Sequence, residues 1–97
     1  MEHDQRQHTR VDLSLETIYY AEDVIGDERD RMHYFGTITN MSKGGVGMVV
    51  GSPHEVNEEL WLEGIGQSPM PLAGLVRWIR SYQGKYEMGL QFRSADA

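Results

Sequence analysis

Short segments of alternating apolar and polar residues, separated by turns that contain glycine, constrain the fold of this chain more than any other feature. The clearest alternation runs from Tyr86 to Arg93, where every second residue is apolar or aromatic. Successive residues of a β-strand point to opposite faces, so this pattern predicts a strand with one face in the core. Glycine accounts for 11 of the 97 residues and falls between such segments rather than in a linker, which is typical of a β-rich domain.

The same reasoning predicts six strands, at residues 11–20, 32–39, 46–50, 58–64, 70–80 and 86–92. The acidic segment 22–31 has no sustained period and is interpreted as a solvated connection. In the fifth strand, the period places Trp78 toward the core and Arg77 outside. No segment has three turns of amphipathic helix. We therefore expect an all-β fold, a small six-stranded antiparallel β-barrel.

Composition limits the class of protein. A chain of 97 residues with 39% apolar and 25% charged residues suits one soluble domain. No apolar run approaches the 18 or more residues of a spanning helix, and the polar start of the chain does not resemble a secretory signal, so we expect a cytoplasmic protein without membrane insertion. The absence of cysteine excludes disulfides and thiol chemistry.

Charge and residue spacing argue against several functions. The formal net charge of −6 disfavours binding to DNA or RNA, which depends on basic contacts to many phosphates. The chain has neither a GxSxG frame around Ser42 nor metal-ligand spacing among its histidines, and it lacks a phosphate-binding GxxxxGK[ST] loop. We therefore expect no enzyme activity, no metal and no cofactor.

Two polar motifs remain that folding does not require. Arg6 and Arg10 lie four residues apart, ahead of the first strand, and each guanidinium can bond a phosphate or the Hoogsteen edge of guanine bidentately. The segment 40–45, Asn-Met-Ser-Lys-Gly-Gly, forms a predicted turn in which Asn and Ser bond the local backbone and the glycines tolerate positive φ. A solvated tail and a plain turn would also account for these two motifs.

Together and in this order, RxxxR before the first strand and [DN]xSxxG at a hairpin resemble the PilZ domain, the bacterial receptor module for cyclic di-GMP (c-di-GMP). The resemblance continues through residues 74–78 and 89–92 and so covers nearly the whole chain. The matching motif residues are Arg6, Arg10, Asn40, Ser42 and Gly45.

The resemblance implies a split barrel over residues 13–93, preceded by a flexible leader at residues 1–12 that folds across the ligand. The tail at residues 94–97 leaves little or no room for the C-terminal helix that many PilZ domains add. The two arginines are expected to contact phosphates and guanine bases. Asn40 and Ser42 are expected to hydrogen-bond a guanine, and Gly45 to shape the turn.

The leading hypothesis is a small receptor or adaptor that binds c-di-GMP, orders its leader and so signals to an unidentified protein effector, as a monomer or weak homodimer. The alternative is a PilZ-fold protein-interaction module that does not bind nucleotide. A third hypothesis, a barrel that binds single-stranded nucleic acid through exposed aromatic rings, is disfavoured by the acidic balance.

Overall fold

Six antiparallel strands close into a barrel in the computed structural model, which describes residues 11–64 and 71–93. Around the barrel the strands follow the order β1-β2-β3-β6-β5-β4, and β4 pairs back onto β1. This confirms the predicted all-β, six-stranded antiparallel barrel. The described residues include no helix that could span a membrane. The strands are β1 (Val11–Ile25), β2 (Glu28–Met41), β3 (Gly45–Val50), β4 (Glu59–Glu63), β5 (Leu72–Tyr82) and β6 (Lys85–Phe92).

The core contains the apolar side chains that alternate along these strands. In β6, Met88 and Leu90 are buried, and Tyr86 and Phe92 pack against the core, as the alternation predicts. In β1, Thr17 and Tyr19 are buried. The buried cluster consists of Tyr19, Ile38, Val46, Met48, Val50, Leu60, Leu62, Val76, Met88 and Leu90.

The acidic segment 22–31, which the sequence pattern assigned to a connection, is instead the outer end of a long β1–β2 hairpin. The strands stay in register out to Ile25 and Glu28, and the two-residue turn begins at Gly26 with φ of +62°. Because β4 pairs with β1 only at residues 18–20, this ribbon extends beyond the closed barrel. Its charged side chains carry no apolar period because they have no core to face.

The prediction for Trp78 was wrong. A β-bulge between Val76 and Trp78 inserts one extra residue, Arg77, opposite β6. The extra residue shifts the alternation by one position, so Trp78 lies on the outer surface with 46% of its area exposed. Arg77 is also exposed, so the two neighbours share the outside of the barrel.

Candidate functional site

The β2–β3 hairpin forms one wall of the candidate site. β2 continues to Met41 and β3 starts at Gly45, so the predicted turn is shorter than expected. The Ser42 N–H donates to the Gly45 carbonyl at 2.9 Å, and the Gly44 N–H donates to the Ser42 hydroxyl at 3.2 Å. These local bonds hold Ser42 at the corner of the hairpin.

Gly45 is required by a close approach of backbones rather than by the positive φ that the sequence suggested. Among the described residues, the glycines with positive φ are Gly26, Gly64 and Gly84. A Cβ on Gly45 would overlap with the carbonyl oxygen of Leu90 on β6. The turn is also joined to β6 by the Phe92 N–H, which donates to the Gly44 carbonyl at 2.9 Å. Gly45 therefore lets the hairpin pack directly on β6.

Asn40 lies across the face of Gly47, its partner on β3. A Cβ on Gly47 would come within 2.5 Å of Asn40 Nδ2, so the amide occupies the space that a side chain there would need. A second β-bulge, between Ile38 and Asn40, sets this position, and the Thr39 hydroxyl donates to the Gly47 carbonyl at 3.3 Å. The bulge thus aims the Asn40 amide over a glycine surface.

The facing wall comes from β5. Trp78 pairs with Gly89 on β6, and a Cβ on Gly89 would overlap with the indole ring. Arg77 is fixed beside it, because its Nε donates to Gln91 Oε1 at 2.7 Å and its Nη1 to Asn57 Oδ1 at 3.3 Å. Gly47 and Gly89 are themselves paired across β3 and β6. They form a floor without side chains between the amide of Asn40 and the indole of Trp78.

The β2–β3 hairpin, β5 and β6 line an open hollow of about 320 Å³. Small-molecule sites start at about this size. Among the described residues that line it, Arg77 carries positive charge and none carries negative charge, although the chain as a whole has a net charge of −6. The hollow therefore offers an aromatic face, an amide, a hydroxyl and a guanidinium to a ligand. Its lining consists of Asn40, Ser42, Gly44, Gly45, Val46, Gly47, Arg77, Trp78, Gly89, Leu90 and Gln91.

Three of the five site residues predicted from the sequence, Asn40, Ser42 and Gly45, come together in this hollow. Arg6 and Arg10 lie outside the described residues. The chain nevertheless enters the barrel next to the hollow, because Val11, which follows Arg10, pairs with Met41. β1 already includes Val11 and Asp12, two residues of the predicted leader.

Sequence reasoning missed Trp78, Arg77 and Gln91 as site residues. A bulge has no reliable sequence signature, so simple alternation placed the indole in the core. One signal could have indicated the correct side: the strictly alternating β6 has Gly89 on its outward face, where a small residue leaves room for a large neighbour. Pairing an aromatic residue with a glycine across strands is a recognised way to cover the glycine.

A separate polar cluster lies beyond the opposite end of β3. The buried imidazole of His54 lies between the Tyr19 hydroxyl, 2.8 Å from Nε2, and Glu58 Oε1, 3.3 Å from Nδ1. Burial raises the pKa of the Tyr19 hydroxyl above its usual range, and Tyr34 and Glu58 add to the shift. Tyr19 is therefore protonated and can donate to His54 while Glu58 accepts from the other ring nitrogen. This cluster fastens the β3–β4 connection to the core.

Residues 4–97 match the model of the PilZ domain family. No curated protein sequence matches the chain at a significant level. Among solved structures, the chain is similar to the PilZ domain of YcgR from Escherichia coli, determined with c-di-GMP. The identity is 13%, the TM-score is 0.62, and the match covers 92% of this chain and 78% of that one.

Two further structures share the fold. The MrkH–c-di-GMP complex from K. pneumonia is 16% identical with a TM-score of 0.63, and the match covers 95% of this chain. The Bacillus subtilis inhibitor of motility, MotI/DgrA, is 21% identical with a TM-score of 0.62, and the match covers 94% of this chain. This chain spans 46% of the length of MrkH and 44% of that of MotI/DgrA. Because the family model matches nearly all of the sequence and these structures have the same barrel, the chain belongs to the PilZ domain family.

Proposed function

We propose that this PilZ domain binds c-di-GMP in the hollow between the β2–β3 hairpin and Trp78, with the leader that carries Arg6 and Arg10 closing over it. The observation that carries the proposal is the convergence of Asn40, Ser42 and Trp78 on one hollow of an acidic protein, with no acidic residue among the described residues that line it. Membership of the family and the c-di-GMP complexes of YcgR and MrkH support this ligand.

The chemistry of the hollow suits a guanine nucleotide. The indole of Trp78 is a flat apolar face on which a base can stack, an interaction worth about 1–3 kcal/mol for a nucleic-acid base. Next to it, the amide of Asn40 and the hydroxyl of Ser42 can both donate and accept hydrogen bonds along a base edge. The Gly47–Gly89 floor lets a flat ring approach the strands closely.

The two phosphates require cations, and the leader provides them. Since Val11 pairs with Met41, Arg10 directly precedes a residue that lies at the hairpin. Arg6 is five residues from Val11, a separation that an extended chain spans with about 17 Å. Both guanidinium groups are therefore within reach of a ligand held at Asn40 and Ser42. Arg77 adds a third positive charge at the rim.

Free energies indicate why both leader arginines are needed. Ordering each residue of a leader costs roughly 1–2 kcal/mol, and one charge-assisted hydrogen bond returns only about 1.5–3 kcal/mol. A micromolar complex requires about −8 kcal/mol in total. Two bidentate arginines, stacking on Trp78 and the hairpin contacts must therefore act together. Ordering of the leader on binding changes the surface that the domain presents, and this is the proposed signal to a protein effector in a non-enzymatic adaptor.

Calorimetric titration of the purified chain with c-di-GMP, and with GTP as control, tests the proposal. We expect binding of c-di-GMP with little or no binding of GTP. Arg6→Ala or Arg10→Ala should nearly abolish binding of c-di-GMP, and Ser42→Ala should lower its affinity less. Arg80→Ala is a matched control, because Arg80 pairs with Glu87 on the outer surface and does not line the hollow. Unchanged affinity in either leader variant would refute the assignment.

The same titration separates the alternatives. A PilZ module that works without nucleotide would show no heat with c-di-GMP. A single-strand nucleic-acid binder would bind oligonucleotides, and its affinity would fall steeply with salt because many counterions are released. Binding of a ligand with two phosphates predicts a much shallower dependence on salt.

A further inference from the structure

An apolar face on which no other described strand packs lies on the outside of the barrel, away from the hollow. It is formed by β1, β2 and β4, where the outward residues pair in two rows: Ile18 with Phe35, and Tyr20 with both His33 and Trp61. We call this surface the Phe35 face and define it by Ile18, Tyr20, His33, Phe35 and Trp61. None of these residues lines the candidate site.

Phe35 is the feature of this face that folding does not explain. Its side chain is 79% exposed, a larger fraction than for any other large hydrophobic residue in the described ranges. Its neighbour across the strands, Ile18, is 39% exposed. The second row is packed instead: Tyr20 is buried, with 3% of its area exposed, and it stacks on Trp61 with ring centroids 5.5 Å apart. An exposed apolar pair therefore lies beside a packed aromatic row, an arrangement that suits a protein-binding patch.

The edge of the face toward β4 is acidic. Glu63 pairs with Ile18 across β4 and β1, and Glu16 lies on the same side of β1. Together with Ile18 and Phe35 they line an open hollow of about 530 Å³. Lys85 lines a second hollow of about 410 Å³ together with Glu16 and Phe35. In the first hollow, the charged residues among the described lining are Glu16 and Glu63.

Arg31, the base that lies on the aromatic row, is engaged with other groups. Arg31 lies over the Tyr20 ring, 4.6 Å from its centroid, and forms an ion pair with Glu22 at 3.4 Å. It therefore does not neutralise the acidic edge formed by Glu16 and Glu63. A partner that lies against this edge meets two carboxylates.

We infer that the Phe35 face docks a protein segment that carries a large apolar side chain flanked by Lys or Arg. The apolar side chain would lie beside Phe35 and Ile18, and the basic residues would face Glu16 and Glu63. Charge complementarity decides between this occupant and a second copy of the chain. Two copies would bring equal acidic edges and net charges of −6 together, which opposes association. The inference rests on the adaptor role proposed above, although it does not depend on c-di-GMP itself.

Site-specific photocrosslinking in the cells that produce the protein tests this inference. A photoreactive benzoylphenylalanine replaces Phe35, and in a control it replaces Tyr82, which is 40% exposed at the far end of β5. The crosslinked segment is identified by mass spectrometry, and the partner is purified for affinity measurements. We expect a segment with a large apolar residue and excess Lys or Arg, captured from position 35 and not from position 82.

The affinity measurements then compare variants of the full chain. We expect Phe35→Ser and the double variant Glu16→Lys/Glu63→Lys each to lower the affinity for the partner at least tenfold. Tyr82→Ser should leave this affinity unchanged. The Phe35→Ser protein should show the wild-type circular dichroism spectrum and cooperative urea unfolding. These measurements show that it is folded whether or not the chain binds c-di-GMP, and so separate this test from that of the proposed function. Equal crosslinking at both positions, a crosslink to the chain itself or to a second copy, an acidic or neutral partner segment, or unchanged affinity in Phe35→Ser would each overturn the inference.

Discussion

The indole of Trp78 covers Gly89 so closely that no side chain could be built at position 89 without displacing it. The bulge at Arg77 creates this relationship by turning Trp78 outward, onto the strand pair formed by β5 and β6. The three atoms nearest to a Cβ at position 89 all belong to the indole, which is a movable side chain rather than backbone. Gly89 therefore fixes where the aromatic wall of the site stands.

Gly89→Ala is expected to lower the affinity for c-di-GMP while leaving the barrel folded. The added methyl group pushes the indole away from its position, so the stacking contribution of about 1–3 kcal/mol is largely lost. Calorimetry measures the affinity. Trp78 emission, recorded in a Trp61→Phe background so that Trp78 is the remaining tryptophan, reports the movement of the ring.

Gly51→Ala is the matched control for Gly89→Ala, because a Cβ on Gly51 meets no atom within 4 Å. It should change neither the affinity nor the emission spectrum. If Gly89→Ala binds c-di-GMP with wild-type affinity although its emission has shifted, Trp78 is not a binding surface.

Gly47→Ala is expected to displace Asn40 on the hairpin wall, as Gly89→Ala displaces Trp78 on the β5 wall, and so to lower the affinity for c-di-GMP. The new Cβ would lie 2.5 Å from Asn40 Nδ2, and the flexible amide can swing aside at little cost to folding. The hydrogen bonds that Asn40 offers to the ligand are then misplaced, with an expected loss of about 1–3 kcal/mol in binding. Asn40→Ala should lose a similar amount, and the double variant should lose no more than either alone. Additive losses, measured by calorimetry, would show that the two residues act independently.

Gly45→Ala should behave differently from Gly47→Ala and Gly89→Ala, because its added methyl group clashes with backbone rather than with a side chain. A Cβ at position 45 overlaps with the carbonyl of Leu90, so β3 must separate from β6 near the hairpin. We expect a loss of about 1–3 kcal/mol or more in the free energy of unfolding, measured by urea denaturation. Wild-type stability in this variant would show that the hairpin can move without cost.

The sequence was sufficient to predict the barrel because apolar and polar residues alternate regularly in strands with one face in the core and the other toward solvent. In β6 the apolar residues from Tyr86 to Phe92 all contribute to the core, as expected. The alternation could not predict the shift in side-chain orientation that a bulge causes. The extra residue at Arg77 places Trp78 on the outer surface, at the candidate site, rather than in the core. The alternation also could not find the outer β1–β2 ribbon, whose residues lack a buried face.

The candidate site was partly predictable for a related reason. Asn40 and Ser42 were identified because their motif is contiguous in sequence. Trp78 and Gln91 come from other strands, and only the register of β5 against β6 brings them to the hairpin. That register depends on the bulge between Val76 and Trp78. The bulge depends on how the strands pack, and strand packing cannot be deduced from a single sequence.

The buried Tyr19 hydroxyl predicts a specific loss of stability at alkaline pH. Burial raises its pKa in the folded state above the value of 10.0 for a free tyrosine. The stability that this group contributes is therefore complete below about pH 10 and is lost as the pH rises further, because the unfolded chain releases the proton first. The slope reaches about 1.4 kcal/mol per pH unit for one group.

Tyr19→Phe isolates this contribution. Below pH 10 the variant should be about 1–3 kcal/mol less stable than the wild type, because His54 Nε2 remains buried without its hydroxyl partner at 2.8 Å. Above pH 10 the wild type loses the titrating contribution and the variant does not, so the difference between them should shrink. Urea denaturation of both proteins between pH 8 and 11 measures it. A difference that stays constant across this range would show that the hydroxyl titrates alike in the folded and unfolded states, and that the Tyr19–His54 contact does not hold the proton.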